Sequence, residues 1–285
     1  MPADLHVHTV YSDSSLTPLE IAAECYAKQV GTVAITDHDT VAGVAPTAEV
    51  AAEYDVRVVP GVEMTAYVEG TEVHIVGLFI DVEDPALLAV FERSRQVRRR
   101  RIHEMVRRLR RLDVEVPAED VFEIAGDGVP GRVHMARALV RHGYAANVSA
   151  AFTDYIGNEC PGYVPKREIS PGEAADAIHA AGGVAIIAHP GVVLDDDLIH
   201  RILDQGVDGL EVYYPLHSAA QEEHFLQLAR ERGVLISGGS DAHGGYREET
   251  RVGGVTIDDA ALARIEAAAD AVRARHRPSH PRRQP

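Results

Sequence analysis

Asp4-Leu5-His6-Val7-His8-Thr9-Val10-Tyr11-Ser12-Asp13 joins the first apolar run of the chain to a polar loop. Residues two apart in an extended strand project to one face, about 6.6 Å from each other. His6 and His8 can therefore turn two imidazoles on one cation, and Asp13 follows in the loop. The pairing recurs along the sequence. Short apolar runs at 4–8, 32–36, 56–59, 73–80, 184–188, 209–213 and 234–237 read as seven buried strands. The second leads into Asp37-His38-Asp39, and Pro60-Gly61-Val62-Glu63 follows the third. His74 lies in the fourth, His189-Pro190 ends the fifth, and Gly238-Gly239-Ser240-Asp241-Ala242-His243 follows the seventh. Parallel sheets and barrels collect their active sites at this edge, where the strand-to-helix loops open.

Amphipathic stretches separate most of the strands. Thr17-Pro18-Leu19-Glu20 and Ser170-Pro171-Gly172-Glu173 each place a capping hydroxyl three residues before a glutamate, with proline at the first helical position. Strands alternating with helices imply parallel β with crossovers, an α/β fold. The alternation stops between about residues 86 and 165. There Ile102, Met105, Val106, Leu109 and Leu112 recur at helical spacing, and 133–140 reads as a second helix. The expected organisation is a discontinuous barrel of 1–85 and 166–270, a helical insertion subdomain at 86–165, and a disordered tail at 273–285.

Composition narrows the function. Of 285 residues, 46% are hydrophobic and 25% charged, as in ordinary globular proteins. The net charge of −16 argues against a stable DNA complex or an anionic-membrane binder. Two cysteines, Cys25 and Cys160, exclude a disulfide scaffold and a cysteine-based zinc module, and apolar packing explains them. The absence of an apolar run of about 18 residues, and of a signal-like start, sets a soluble cytoplasmic protein as the expectation. Positive charge is concentrated at 93–111, with ten arginines against Glu104. Its apolar residues form one stripe, so most of the arginines are expected on a solvated face. The other reading is a cationic rim that steers phosphates.

Taken singly, each histidine or acid has a plain structural reading. Together, His6, His8, Asp13, His38, Glu63, His74, His189, Asp241 and His243 would be costly to gather at one rim without cations. Imidazole mixed with carboxylate suits Zn²⁺, Mn²⁺ or Fe²⁺.

At these residues the sequence resembles the PHP (polymerase and histidinol phosphatase) family, through DLHVHTVYSD, AITDHDTVAG, PGVEMTA, EVHIVGL, AHPG and SGGSDAHG between residues 4 and 244. The resemblance implies a distorted (β/α)7 barrel and a centre of two or three divalent ions. His6, His8, Glu63 and Asp241 would hold the first ion. Glu63 would bridge to a second held by His74 and His189, and Asp13, His38 and His243 would hold the third. Gly131-Arg132-Val133-His134 and Tyr163-Val164-Pro165-Lys166 look like the insertion of stand-alone phosphoesterases of the family. That branch acts on nucleoside 3′,5′-bisphosphates, and some of its members trim short RNA from the 5′ end. By resemblance Arg132 and Lys166 would hold substrate phosphates, with His134 assisting.

The implied reaction is phosphate-ester hydrolysis in which a metal-bound hydroxide attacks phosphorus in line. His134 or His217 is the candidate general acid, while Asp37, Asp39 and Ser240 suit roles orienting imidazoles or capping helices. The expected partner is a small phosphorylated nucleotide such as adenosine 3′,5′-bisphosphate, or short 5′-phosphorylated RNA. The alternatives are a histidinol-phosphate phosphatase, a proofreading DNA exonuclease, a non-catalytic scaffold or binding module and, more weakly, an amidohydrolase acting on C–N bonds.

Overall fold

The computed structural model describes residues 1–126, 129–165, 169–192, 194–244 and 250–276. Seven strands form one sheet in chain order: β1 (Ala3–Val7), β2 (Thr32–Ile35), β3 (Arg57–Val68), β4 (Thr71–Leu78), β5 (Val184–Ile187), β6 (Gly209–Tyr213) and β7 (Leu235–Gly238). The α/β class and the strand number match the (β/α)7 expectation, with two differences.

First, β4 is antiparallel to both β3 and β5, whereas the other neighbours run parallel. The cause is local. Strand β3 does not stop at Val59 but continues through Glu63 to Val68, and only Glu69 and Gly70 separate it from β4. Both take left-handed backbone angles, φ 51° and 87°. This suits a two-residue hairpin turn and leaves no room for a crossover helix. Reversal puts the start of β4, and with it His74, at the rim where the parallel strands end. Second, the sheet is not closed. Among the described residues β7 and β1 share no ladder, and isolated bridges join Val7 to Ala242 and Ala3 to Ile257 across the gap.

Helices α1 (Pro18–Ala27) and α2 (Val44–Ala52) cover β1 and β2, packing Ile21, Cys25 and Ala51 on Val33 and Ile35. Both expected capping boxes form: Glu20 N–H donates to Thr17 Oγ1 at 3.3 Å, and Thr17 N–H to Glu20 Oε2 at 2.8 Å. The corresponding Glu173–Ser170 bonds, 3.2 and 2.7 Å, start α7 (Pro171–Ala180). That helix, with α8 (Asp196–Leu203) and α9 (Ala219–Arg232), covers the later strands, packing on Val62, Ile75, Ile187 and Leu210. The last helix, α10 (Asp259–His276), packs Leu262, Ile265, Ala269 and Val272 on Leu5, Ala34, Val76 and Ile186. It therefore fills the end of the sheet away from the rim. The helix also runs past the expected start of the tail: Arg273 donates to the carbonyls of Phe79 at 2.9 Å and Gly182 at 3.2 Å. Residues 277–285 lie outside the described residues.

Between β4 and β5 the chain forms α3 (Pro85–Arg110), α4 (Ala118–Ala125), α5 (Arg132–Arg141) and α6 (Val148–Ala151). Ile102, Met105, Leu109, Val121, Met135, Leu139 and Ile156 make a core of their own. The first turns of α3 instead bury Leu87 and Phe91 against the sheet. One helix is thus rooted in both bodies.

Candidate metal centre

At the rim, single backbone rungs set neighbouring side chains beside each other. His8 N–H donates to Ala242 O at 3.1 Å, between Asp241 and His243. An isolated bridge pairs His38 with Glu63, supported by Glu63 N–H to Asp37 O at 3.2 Å. Ala188 N–H donates to His74 O at 3.0 Å, which brings His189 alongside. His189 and Asp241 have left-handed backbone angles, φ 32° and 49°, uncommon for residues other than glycine and typical of functional sites.

The side chains converge. Glu63 is fully buried; its Oε2 lies 3.4 Å from His6 Nε2, 3.2 Å from His8 Nε2 and 3.2 Å from His38 Nδ1. Its Oε1 faces His74 Nδ1 at 2.9 Å and His189 Nε2 at 3.1 Å. Asp241 Oδ1 lies 3.2 Å from His8 Nε2 and 3.4 Å from His6 Nε2. Asp13 Oδ1 lies 3.2 Å from His243 Nε2, and Asp13 Oδ2 3.8 Å from His38 Nε2. Three sets bring their donor atoms within 4.8 Å of one another: His6, His8, Glu63 and Asp241; His8, Asp13, His38 and His243; and His38, Glu63 and His74.

These residues fit divalent cations. His8 Nδ1, Asp13 Oδ1, His38 Nδ1, Glu63 Oε2 and His74 Nδ1 are buried without hydrogen-bond partners, which such atoms rarely are. Charge gives the same answer. Burial pushes the Glu63 carboxyl up, yet His38, His74 and His6 outweigh it and hold the group well below the usual carboxylate range. Burial pushes His8 down, yet Asp241 and Glu63 raise it to about 10, and Glu63 and Glu72 do the same for His74. The carboxylates demand positive charge that protons supply only by loading buried imidazoles. A divalent ion meets that demand with the imidazoles neutral.

Supporting contacts include residues the sequence reading missed. Glu211 on β6 accepts from His6 Nδ1–H at 3.0 Å and from His189 N–H at 2.8 Å. Tyr214 donates to Asp241 Oδ2 at 3.1 Å. Glu211 was findable as the one charged residue in the apolar run Gly209–Tyr213. Asp4, fully buried, accepts from Ser240 N–H at 2.9 Å, Ser240 Oγ–H at 2.6 Å and Gly253 N–H at 2.8 Å, across the gap between β7 and β1.

Several expected roles change. Asp37 does not orient an imidazole; it accepts from Thr9 N–H, Thr9 Oγ1–H and Ser12 Oγ–H and so fixes the loop that carries Asp13. Asp39 accepts from Thr65 N–H at 3.2 Å and from the Arg98 guanidinium, and Ser240 serves Asp4. The 93–111 arginines do not all face solvent, since Arg98 and Arg101 turn inward. His217 donates from Nδ1 to Val212 O at 2.8 Å and accepts Gly191 N–H at Nε2, 3.1 Å. Both nitrogens are engaged by backbone groups, and the ring is buried rather than a solvated surface residue.

His134 lines a cavity beside the cluster, but its Nδ1 accepts Gly131 N–H at 3.0 Å and closes the first turn of α5. Burial, then the Arg137 charge, hold it down to about 4, against Asp13. Burial thus favours the neutral imidazole, with Nδ1 accepting from the backbone. Its ordinary value lies above the folded one, so the unfolded chain binds the proton more readily between the two. The stability advantage of wild type over His134→Gln is therefore complete above about pH 6.5 and lost as pH falls towards 4. Urea midpoints of both proteins across that range test it, and a pH-independent difference would refute it.

Arg132 donates to Asn158 Oδ1 at 2.7 Å, lies 3.7 Å from Glu72 and packs between the rings of Phe152 and Tyr163. It lines two cavities that meet the cluster at His74, of about 160 and 390 Å³. Lys166 lies outside the described residues.

Comparison with known proteins agrees with this geometry. The PHP domain matches residues 4–115. The chain is 34% identical over 247 residues to the 5′-3′ exoribonuclease Rnm of Escherichia coli (strain K12), covering 84% of each protein. It is 35% identical over 246 residues to the 3′,5′-nucleoside bisphosphate phosphatase of Chromobacterium violaceum, covering 84% of this chain and 86% of the relative. A Bifidobacterium adolescentis structure described as a metal-dependent phosphoesterase superposes with a TM-score of 0.84 at 32% identity, over 93% of this chain and 95% of that one. With its His and carboxylate cluster assembled at the sheet edge, the chain belongs to the PHP family and is a hydrolase of phosphate esters.

Proposed function

We propose that the protein removes phosphate from small nucleotides, with nucleoside 3′,5′-bisphosphates as the first substrate class and short 5′-phosphorylated RNA as the second. The observation that carries this reading is Arg132, a guanidinium braced between two rings at the junction of the cluster and both cavities. His6, His8, Glu63 and Asp241 would hold one divalent ion, and Glu63, His74 and His189 a second. Asp13, His38 and His243 would hold a third, with Mn²⁺, Zn²⁺ or Fe²⁺ as the candidates. Such ions supply hydroxide near neutral pH and positive charge on the phosphoryl oxygens.

The chain's own groups do the rest. Glu211 keeps the His6 ring turned so that Nε2 points at Glu63 and Asp241, and Tyr214 fixes the second oxygen of Asp241. Arg132 binds a phosphate oxygen pair, a geometry that suits a planar guanidinium. The larger cavity offers Tyr163, Val73 and Leu194 as apolar walls and Asn158 and Thr71 as polar contacts, enough for a nucleoside. The 86–165 insertion would thereby act as the substrate-recognition body. Histidinol-phosphate hydrolysis is not favoured, since that substrate has no second phosphate for the cationic wall. A non-catalytic scaffold is not favoured either, because no ligand position has been lost.

Phosphate release by the Mn²⁺-loaded protein tests the proposal. Adenosine 3′,5′-bisphosphate is expected to be cleaved at least tenfold more efficiently than histidinol phosphate, and a reversed order overturns the substrate assignment.

A further inference from the structure

Helices α1 and α2 both end where β1, β2 and β3 begin, at the end of the sheet away from the metal centre. Between their last turns lies a cavity of about 440 Å³, with Cys25, Val30 and Val56 as apolar walls and Tyr26, Tyr54 and Asp55 beside them. The two tyrosine rings stand 5.9 Å apart at 66°, so each keeps at least one face that the other does not cover. Tyr26 is 67% exposed, more than any other large apolar side chain among the described residues.

The surroundings of this cavity carry negative charge. Each helix contributes about half a negative charge at its C-terminus, and neither has a basic residue in its last turn. Asp55 adds a carboxylate that forms no ion pair among the described residues. No lysine or arginine lines the cavity. The stem of Lys28, which follows α1, lies against Gly253 instead. The Met1 ammonium is held by both oxygens of Asp259, at 2.8 and 2.9 Å. An anion would meet repulsion here, whereas a cation set over a tyrosine face gains from the ring quadrupole, the carboxylate and both helix ends at once.

We propose that this cavity binds a small organic cation, an ammonium or guanidinium group on an aliphatic stem. The charged head lies against Tyr26, Tyr54 and Asp55, and the stem covers Val30 and Val56. The site is separate from the ester chemistry, since none of its residues belongs to the His and carboxylate cluster.

The test follows backbone amide NMR signals of the full chain, loaded with diamagnetic Zn²⁺, during titration with agmatine at constant ionic strength. Agmatine is expected to bind saturably, with a Kd on the order of 1 mM, and to shift the signals of residues 25–31 and 54–56. Neutral butylurea, which has a similar stem and no charge, is expected to leave them in place. Tyr26→Leu keeps apolar bulk at an exposed position and removes the aromatic face. Asp55→Asn removes the charge and keeps a residue that tolerates the left-handed angle there, φ 57°. Each variant is expected to weaken agmatine binding roughly three- to tenfold. Three results overturn the proposal: no saturable shift at these residues, equal binding of butylurea, or wild-type affinity in both variants.

Discussion

Glu63→Gln is expected to lower phosphate release by about 10⁴-fold, equivalent to roughly 5.5 kcal/mol of transition-state stabilisation. The side chain is fully buried and both of its oxygens face imidazoles, three on one side and two on the other. An amide of the same shape keeps one acceptor and turns an NH₂ group towards ring nitrogens that must present lone pairs to cations. The variant is expected to fold, since removing the charge also removes the demand for protonated His8 and His74. Elemental analysis should show fewer bound ions per chain than in wild type. Wild-type turnover with undiminished metal content in Glu63→Gln would refute Glu63 as a bridging ligand.

Asp4→Asn is expected to cost about 3 kcal/mol of stability, because buried donors lose their acceptor. The carboxylate takes hydrogen bonds from Ser240 N–H, Ser240 Oγ–H and Gly253 N–H, and a weaker one from His6 N–H at 3.3 Å. Asparagine offers one oxygen and sets its own donors against the rest. The Ser240 and Gly253 bonds cross the gap where β7 and β1 share no ladder, so the substitution also loosens Asp241, one residue beyond Ser240. Chemical denaturation and phosphate release should both fall in Asp4→Asn. A denaturation midpoint equal to that of wild type would refute this account of the gap.

Much of the site was legible because its pattern is short-range. His6 and His8 occupy alternate positions of one strand, and Asp241 and His243 share the same spacing, so a period of two brings each pair to one place. Seven strands could be read as apolar runs because the sheet is buried on both faces. The direction of β4 could not be read that way. It depends on Glu69 taking a left-handed backbone angle next to Gly70, which composition alone does not announce. Asp4 lies beside the most informative motif and escaped notice, because its partners Ser240 and Gly253 are more than 230 residues away. Arg101 was concealed differently. In a run of ten arginines, helical phase singles out the two that turn inward only when the facing body is known.

The reversal of β4 also governs how recognition is gauged. Because that strand ends far from the mouth, α3 must climb about 20 Å between Pro85 and Arg98 before its guanidiniums reach the cations' side. The helix works as a vernier rooted in the floor of the molecule. One residue added below Arg98 would swing the arginines by about 100° and raise them by about 1.5 Å, leaving the ion cage untouched. Relatives with the same cage could therefore diverge in what they accept through the helical phase of this single rod.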